Sequence, residues 1–512
     1  MKLTELTRYD DAHRHFSKDA LWQLFDGDRS RLNIAHECID RHRGSGVALR
    51  IAHADGADEQ YTFDELADWT GRFANYLGER GVKPGDRVGI LLEPCLAFYV
   101  SVFGAIKFGA VAVPMFTLFG RDALAMRLDD CAPTILVTNP EKAPLAAGRN
   151  GLTVVVADEA FEQALMAYSP TFEPRTGSRD MALFQYTSGT TREMPEAVKH
   201  THQSVVTVTI ASLYATGVRP GDNFCCPSSP AWGHGLAHGT LGPLALGVNI
   251  TSWSGQFDAT RMLEVLQNNR ITNLSAAATH YRMMKNVGGA DRFTYHLRKL
   301  SFTGEPIDTD TAEFVERTFG TAVRSIYGTT EVGVILGCYP GADDFPMKLG
   351  SLGKPLPGLV VDVLDPEGQS CAADQTGEIM VKRRDGWFPT KDLGRRDAQG
   401  YFYHGGRADD VIISAGWTLS AVEIEDTLLK HADVDEIAVI GVPDELRGQV
   451  VKAFVVSNRA ASDAFTEEVQ AFARERLGNH EYPRIVAIVP ELPKTPAGKV
   501  NRKVLREREA CA

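Results

Sequence analysis

Between Tyr61 and about Thr138, apolar residues recur at helical spacing in some stretches and run together in others. Phe63 to Gly81 has the period of an amphipathic helix, and Arg87-Val-Gly-Ile-Leu-Leu reads as a strand. A second helix is predicted near Ala97–Phe108, leading into the strand-like Ala110-Val-Ala-Val-Pro. After a further helix comes the strand Thr134-Ile-Leu-Val-Thr. Helices at Ser204–Tyr214 and Asp258–Asn269, with a strand at Val248-Asn-Ile-Thr, repeat the theme. Such strand–helix alternation implies an α/β domain with a largely parallel sheet. Beyond Gly350 the texture changes to short strands punctuated by Gly and Pro, among them Val360–Leu364 and Glu378–Lys382, which predicts a small β-rich subdomain. Gly405-Gly-Arg-Ala-Asp-Asp is polar and glycine-rich and reads as a hinge. Helices at Ala421–Lys430 and Thr466–Leu477 then alternate with strands, making an α+β domain of roughly 100 residues. The expected fold is therefore α/β, with a large domain over residues 1–406 and a small one over 407–512.

Composition narrows the class. Hydrophobic residues make up 44% and charged residues 23%, the balance of a globular enzyme. Lys+Arg number 54 against 66 Asp+Glu, a net −12 that opposes non-specific phosphate contacts, so no nucleic-acid partner is expected. The most apolar stretch, Ala97 to Phe116, carries Lys107, two glycines and Pro114, which suits a buried helix and strand rather than a membrane span. The polar N-terminus, MKLTELTRYDDAHRHF, has no apolar core of a signal peptide, and a cytoplasmic protein is expected. Eight cysteines are scattered without a Cys-x-x-Cys spacing, and only Cys225 and Cys226 are close neighbours, so neither a zinc nor a disulfide framework is predicted. His200, His202, His234 and His238 have no carboxylate or cysteine at ligand spacing, which favours packed or hydrogen-bonded rings over a metal site.

The most informative stretch is Gln185-Tyr-Thr-Ser-Gly-Thr-Thr-Arg-Glu-Met-Pro-Glu-Ala-Val-Lys-His-Thr-His202. Thr187, Ser188, Gly189, Thr190 and Thr191 follow an apolar strand-like run, Met181-Ala-Leu-Phe. Such a loop offers several N–H groups and hydroxyls to one polyphosphate, and a glycine permits close approach. Taken alone it reads more readily as an ordinary Ser/Thr/Gly turn. No GxxxxGK[ST] occurs, so it is not the loop of a P-loop phosphotransferase, and no GxGxxG opens a helix after the first strand.

Further motifs recur downstream: Thr303-Gly-Glu-Pro306, Tyr327-Gly-Thr-Thr-Glu331 and Gly350-Ser-Leu-Gly-Lys-Pro-Leu-Pro-Gly358. Then come Thr390-Lys-Asp392, Gly406-Arg-Ala-Asp-Asp410 and Pro493-Lys-Thr-Pro-Ala-Gly-Lys499-Val-Asn-Arg502. Together with the loop, and in this order, they resemble the adenylate-forming superfamily: acyl- and aryl-CoA synthetases, peptide-synthetase adenylation domains and luciferases. The resemblance implies ATP-dependent activation of a carboxylic acid to an acyl-adenylate, followed by transfer to coenzyme A. It implies that Thr187 to Thr191 hold the β- and γ-phosphates and that Glu331 coordinates Mg²⁺, with Thr330 against the α-phosphate. Gly304, Glu305 and Pro306, with Tyr327, Gly328 and Thr329, resemble the nucleotide-side segments. Asp392 resembles the acceptor for the ribose hydroxyls, and Arg407 the arginine that reaches ribose or phosphate. Lys499 resembles the lysine that contacts both the acyl carboxylate and the α-phosphate. Asp409 resembles a hinge about which the small domain rotates between adenylating and thiol-accepting states.

The acyl side resembles the medium-chain and aryl branch, through Pro230-Ala-Trp-Gly and Ala277-Ala-Thr-His-Tyr-Arg-Met283. Trp232, His234 and Gly235 lie where that branch lines its acyl tunnel. Enzymes restricted to acetate carry Trp where this chain has Gly328, so a deeper pocket and a medium-chain, branched, alicyclic or aromatic acid are expected. An apolar pocket discriminates at only ~1–3 kcal/mol per methylene. Three departures stand out: Arg192 replaces the loop glycine, the loop is one residue longer before Pro195, and Glu196 takes the usual lysine's place. Arg192 or Lys199 is expected to supply the missing positive charge. Thr418 stands where many relatives have an arginine. The alternatives left open are a stand-alone enzyme loading a carrier-protein thiol and a non-catalytic nucleotide- or acyl-binding relative. A homodimer is the assembly allowed for.

Overall fold

A computed structural model describes residues 2–119, 121–186, 197–329, 331–407, 411–414, 417–444, 448–477, 482–494 and 500–510. The first long helix, Phe63–Glu79, begins where the chain can cap it. Thr62 accepts the Glu65 N–H at 3.2 Å, and the Glu65 carboxylate takes the Thr62 N–H at 2.7 Å. Its apolar face, including Phe63, Leu66, Phe73 and Leu77, is buried against the helix Leu96–Phe108 and the surrounding core. That second helix is buried nearly all round, so Lys107 is buried too; its Nζ donates to Asp40 Oδ1 at 2.6 Å and Thr70 Oγ1 at 2.7 Å. Among the described residues no helix is long and apolar enough to cross a membrane.

The chain divides into two compact units at Leu359–Val360. The first holds a six-stranded sheet in the order Thr153–Val156, Ile135–Thr138, Arg87–Leu91, Val111–Pro114, Met181–Tyr186, Ala197–Thr201. All neighbours are parallel except the last pair. A second sheet of the same unit has a parallel core: Val323–Thr329, Lys299–Thr303, Asn273–Ala277, Asn223–Cys226, Asn249–Ser254 and Val47–His53. Antiparallel strands flank it, Gly333–Gly337 on one side and Glu59–Thr62 on the other. The helices Ala259–Asn268, Ala278–Val287 and Thr309–Phe319 bury Leu263, Tyr281 and Val315 in one core with Leu274 and Leu300 of the sheet.

The second unit opens with an antiparallel sheet of Val361–Leu364, Gly377–Arg383, Gly386–Arg396 and Phe402–Arg407. It continues into a five-stranded sheet built on Glu436–Asp444 and Gly448–Val456, with Ile485–Ile488 added in parallel. The helices Ala421–Leu428 and Asp463–Arg476 close its core through Ile424, Leu428, Phe465 and Val469. The β-rich segment expected at the end of the large domain thus belongs, by compactness, to the second unit. Capping explains the shifted helix ends. Asp258 accepts the Arg261 N–H at 2.7 Å and so precedes its helix. Ser462 accepts the Phe465 N–H at 3.2 Å and starts the later helix before Thr466.

Candidate active site

Parallel sheets bind ligands beyond the carboxyl ends of their strands, where helix N-termini and loops gather. In the first unit those ends carry the motifs. Met181–Tyr186 ends at Tyr186, whose Oη donates to Asp130 Oδ2 at 2.5 Å and lies 3.1 Å from the Arg127 carbonyl. Arg127 in turn lies over the Phe119 ring at 3.9 Å. This fixes the end of the strand that precedes Thr187. Thr187, Ser188, Gly189, Thr190 and Thr191, with Arg192 and Glu196, lie outside the described residues, as do Thr330, Asp409 and Lys499.

Lys299–Thr303 ends at Gly304, which turns the chain at φ +96°. The Glu305 carboxylate is held by Arg282 Nη2 at 2.7 Å and by the Thr279 hydroxyl. Val323–Thr329 carries Tyr327, Gly328 and Thr329 and turns back as Gly333–Gly337, with Glu331 exposed between the two strands. A bulge separates Tyr327 from Gly328. A Cβ on Gly328 would lie 1.9 Å from the Gly333 carbonyl oxygen and 2.6 Å from Val334 Cα. The hairpin's own backbone fills that direction, so Gly328 does not deepen an acyl pocket by leaving a ring's volume empty.

Asn223–Cys226 leads to Trp232 and a π-helical segment, His234–Leu241. Gly235 is needed there: a Cβ would sit 2.2 Å from the Ser229 carbonyl oxygen and 2.3 Å from that of Ser228. His234 is buried and committed on both sides, its Nδ1 2.9 Å from Ser228 Oγ and its Nε2 2.9 Å from Ser275 Oγ. Ser301 Oγ donates onward to Ser275 Oγ at 2.8 Å. Burial, reinforced by His238 and His280, pushes His234 down to about 3 and keeps it neutral. The Trp232 ring meets it edge-on at 6.1 Å.

In the second unit Asp392 is buried, with His404 Nε2 3.8 Å from its carboxylate and its own N–H donated to Thr390 Oγ1 at 3.2 Å. Lys391 just before it adopts φ +63°, a left-handed conformation that non-glycine residues avoid, pinned by its N–H donating to Glu378 Oε1 at 3.0 Å. Arg407 is the cross-strand register partner of Asp392. Residues flanking Lys499 are tied down: Lys494 and Val500 form a β-bridge, and the Asn501 N–H donates to the Pro493 carbonyl at 2.7 Å. Arg502 then makes a two-pronged pair with buried Glu425, at 3.1 and 2.5 Å.

Residues 41–387 match the AMP-binding enzyme family, and residues 423–499 match the AMP-binding enzyme C-terminal domain. The chain belongs to the AMP-binding enzyme family. The acetyl-coenzyme A synthetase of Bacillus subtilis (strain 168) is 29% identical over 98% of this chain and 95% of its own. The 4-hydroxybutyrate–CoA ligase 1 of Metallosphaera sedula is 30% identical over 94% and 91%. The crystal structure of Brucella canis acyl-CoA synthetase superposes with a TM-score of 0.77 at 30% identity, covering 99% of both chains. This AMP-binding enzyme is an AMP-forming acyl-CoA ligase in class.

Within the first unit of this AMP-binding enzyme, Tyr186 ends a strand of the six-stranded sheet, while Gly304 to Pro306 and Tyr327 to Thr329, with Glu331 just beyond, end or follow two neighbouring parallel strands of the second sheet. Asp392 and Arg407 share one strand pair of the second unit. Reading by motif missed Ser228 and Ser275, whose hydroxyls hold His234, Ser301, which donates to Ser275, and Glu425, which holds Arg502. Isolated serines carry no sequence signal; the parallel register Ser275↔Ser301 aligns two of them.

Proposed function

We propose that this enzyme joins a medium-chain, branched, alicyclic or aromatic carboxylic acid to coenzyme A through an acyl-adenylate, by the residues placed as follows. The acid's carboxylate oxygen attacks the α-phosphorus of ATP, the bond to the β-phosphate oxygen breaks, and pyrophosphate leaves. The thiol sulfur then attacks the acyl carbon, AMP leaves, and the thiol proton goes to solvent. Two anions meet in the first step, so positioning and charge neutralisation supply the catalysis. Lys499 neutralises charge between the acyl carboxylate and the α-phosphate, and Thr187 to Thr191 hold the β- and γ-phosphates. Asp392, a buried carboxylate, accepts from the vicinal ribose hydroxyls, and Arg407 reaches the ribose or phosphate. Trp232 and the segment from His234 and Gly235 flank the acyl group.

Glu331 is an exposed carboxylate at a hairpin end, and the described residues contain no group of three His, Cys, Asp or Glu side chains able to hold a metal ion alone. That fits Mg²⁺, which is commonly held by one or two carboxylates together with substrate phosphates. Bound there, it would spread the phosphate charge. Rotation about Asp409 exchanges the adenylating and thiol-accepting states of residues 407–512. The observation that carries this reading is that the first unit's motifs each end or follow the carboxyl end of a strand that runs parallel to a neighbour.

ATP–pyrophosphate exchange across a panel of carboxylic acids, with and without coenzyme A, tests the proposal. Exchange with at least one medium-chain or aromatic acid, and thioester on adding coenzyme A, is the expected result. Exchange without thioester would replace coenzyme A by a carrier-protein thiol, and no exchange with any acid would leave a binding protein.

A further inference from the structure

The strand Gly386–Arg396 loses register just where it carries Asp392. Met380 of the neighbouring strand faces Pro389 and Glu378 faces Leu393, so four steps on one strand oppose two on the other. The surplus falls within Thr390, Lys391 and Asp392 and forms a β-bulge. On the opposite edge the register slips again, between Leu393 and Gly394. Bulges re-aim side chains, and they are over-represented beside active sites.

Inside the bulge Lys391 takes φ +63°. An L-residue reaches that region only at a cost, and glycine is the usual occupant. The Lys391 side chain is exposed, so burial of that side chain does not hold the conformation. Hydrogen bonds to the strand Gly377–Arg383 do. Thr390 Oγ1 donates to the Ile379 carbonyl at 2.7 Å and accepts the Asp392 N–H at 3.2 Å, which fixes the residues on either side. The Glu378 carboxylate holds the strained residue itself, taking the Lys391 N–H on Oε1 at 3.0 Å. Asp392, which follows, is 5% exposed, so the direction of its carboxylate depends on the backbone that delivers it. Strain of this kind persists only where the surroundings over-determine it, and functional sites are where it collects.

We propose that Glu378 is a positioning residue for ATP: by holding Lys391 in the left-handed conformation, it sets where the Asp392 carboxylate meets the ribose hydroxyls. The inference rests on the proposed adenylation reading, in which Asp392 is the ribose acceptor. Glu378 acts through Lys391 and need not touch the nucleotide.

The test is ribose recognition. It compares kcat/KM for ATP with that for 2′-deoxy-ATP and 3′-deoxy-ATP, by pyrophosphate exchange on the full chain with an acid that supports it. A hydroxyl bonded to a buried carboxylate should favour ATP by roughly 10- to 100-fold over at least one analogue. Lys391→Val, whose β-branched side chain opposes a positive φ, should bring that ratio below about threefold; Lys391→Gly should keep it within about twofold of wild type. Both variants lose the same ammonium, so charge does not separate them. Glu378→Ala should also bring the ratio below about threefold, but lower it by less than about twofold in a Lys391→Gly background, where glycine needs no pin. A merely structural role would slow ATP and its analogues alike and leave the ratio unmoved. If Glu378→Ala fails to fold, the two Lys391 variants decide. A wild-type ratio retained in Lys391→Val or in Glu378→Ala would overturn the inference while leaving adenylation intact, as would a wild type that uses both analogues as well as ATP. No exchange with any acid would overturn both.

Discussion

Replacing Glu425 by alanine removes one half of a buried, two-pronged ion pair three residues beyond Lys499. The Glu425 side chain is 10% exposed and that of Arg502 20% exposed, so neither charge is well screened by water. Breaking such a pair from one side costs about 3–5 kcal/mol, because the remaining charge stays buried. The Val439 N–H, now 2.7 Å from Glu425 Oε1, would also lose its acceptor, at about 1–3 kcal/mol. These terms overlap in one network and do not add. Glu425→Gln keeps an acceptor for Val439 and should cost less. The larger consequence is positional: Arg502 follows the bridge Lys494–Val500 and the Asn501–Pro493 hydrogen bond, so freeing it loosens the described residues that flank Lys499. A displacement of about 1 Å at a reacting group costs on the order of 100-fold in rate. The two half-reactions separate position from stability. Pyrophosphate exchange should fall about 100-fold in the alanine variant, whereas thioester formation from supplied acyl-adenylate should change by less than about threefold, since the role proposed for Lys499 lies in the first step alone. Hydrogen exchange at the Val439 amide reports the local loss independently. Equal losses in both half-reactions would refute the positioning argument and leave Glu425 a purely structural residue.

Two further outcomes follow from charge. Burial depresses His202 to about 4, His234 to about 3 and His238 to about 4, so all three are neutral when folded but protonate near 6.5 when unfolded. Between pH 6.5 and about 4 the unfolded chain then binds more protons, and stability should fall as pH drops, by at most about 1.4 kcal/mol per pH unit for each histidine. A urea midpoint that stays flat from pH 7 to pH 5 would contradict this. For the altered phosphate loop, Arg192→Ala or Lys199→Ala should raise the KM for ATP roughly tenfold, the loss of one phosphate-facing charge (about 1.4 kcal/mol). Lys199 is exposed on Ala197–Thr201, its Nζ 5.3 Å over the Phe184 ring. An unchanged KM in both variants would mean that neither cation compensates for Glu196.

What was legible in the sequence was what repeats locally. The helix Ser204–Tyr214 was readable to the residue because its apolar run has no competing turn, and the strands about Arg87 and Ile135 because parallel strands buried on both faces read as continuous apolar runs. The π-helical segment His234–Leu241 was not readable, since its path depends on the close approach of Gly235 to the carbonyls of Ser228 and Ser229. Gly328 shows the same limit from the other side. Its identity suggested an emptied pocket, but the hairpin register that puts the Gly333 carbonyl against it is a tertiary fact. The histidines sharpen the point further. Sequence alone favoured packed or hydrogen-bonded rings, and His234 is that, held between serines from two separate segments. His238 is packed yet unpaired at Nδ1. The difference lies in what the neighbouring segments happen to present: Ser228 and Ser275 to His234 and, among the described residues, no partner to Nδ1 of His238.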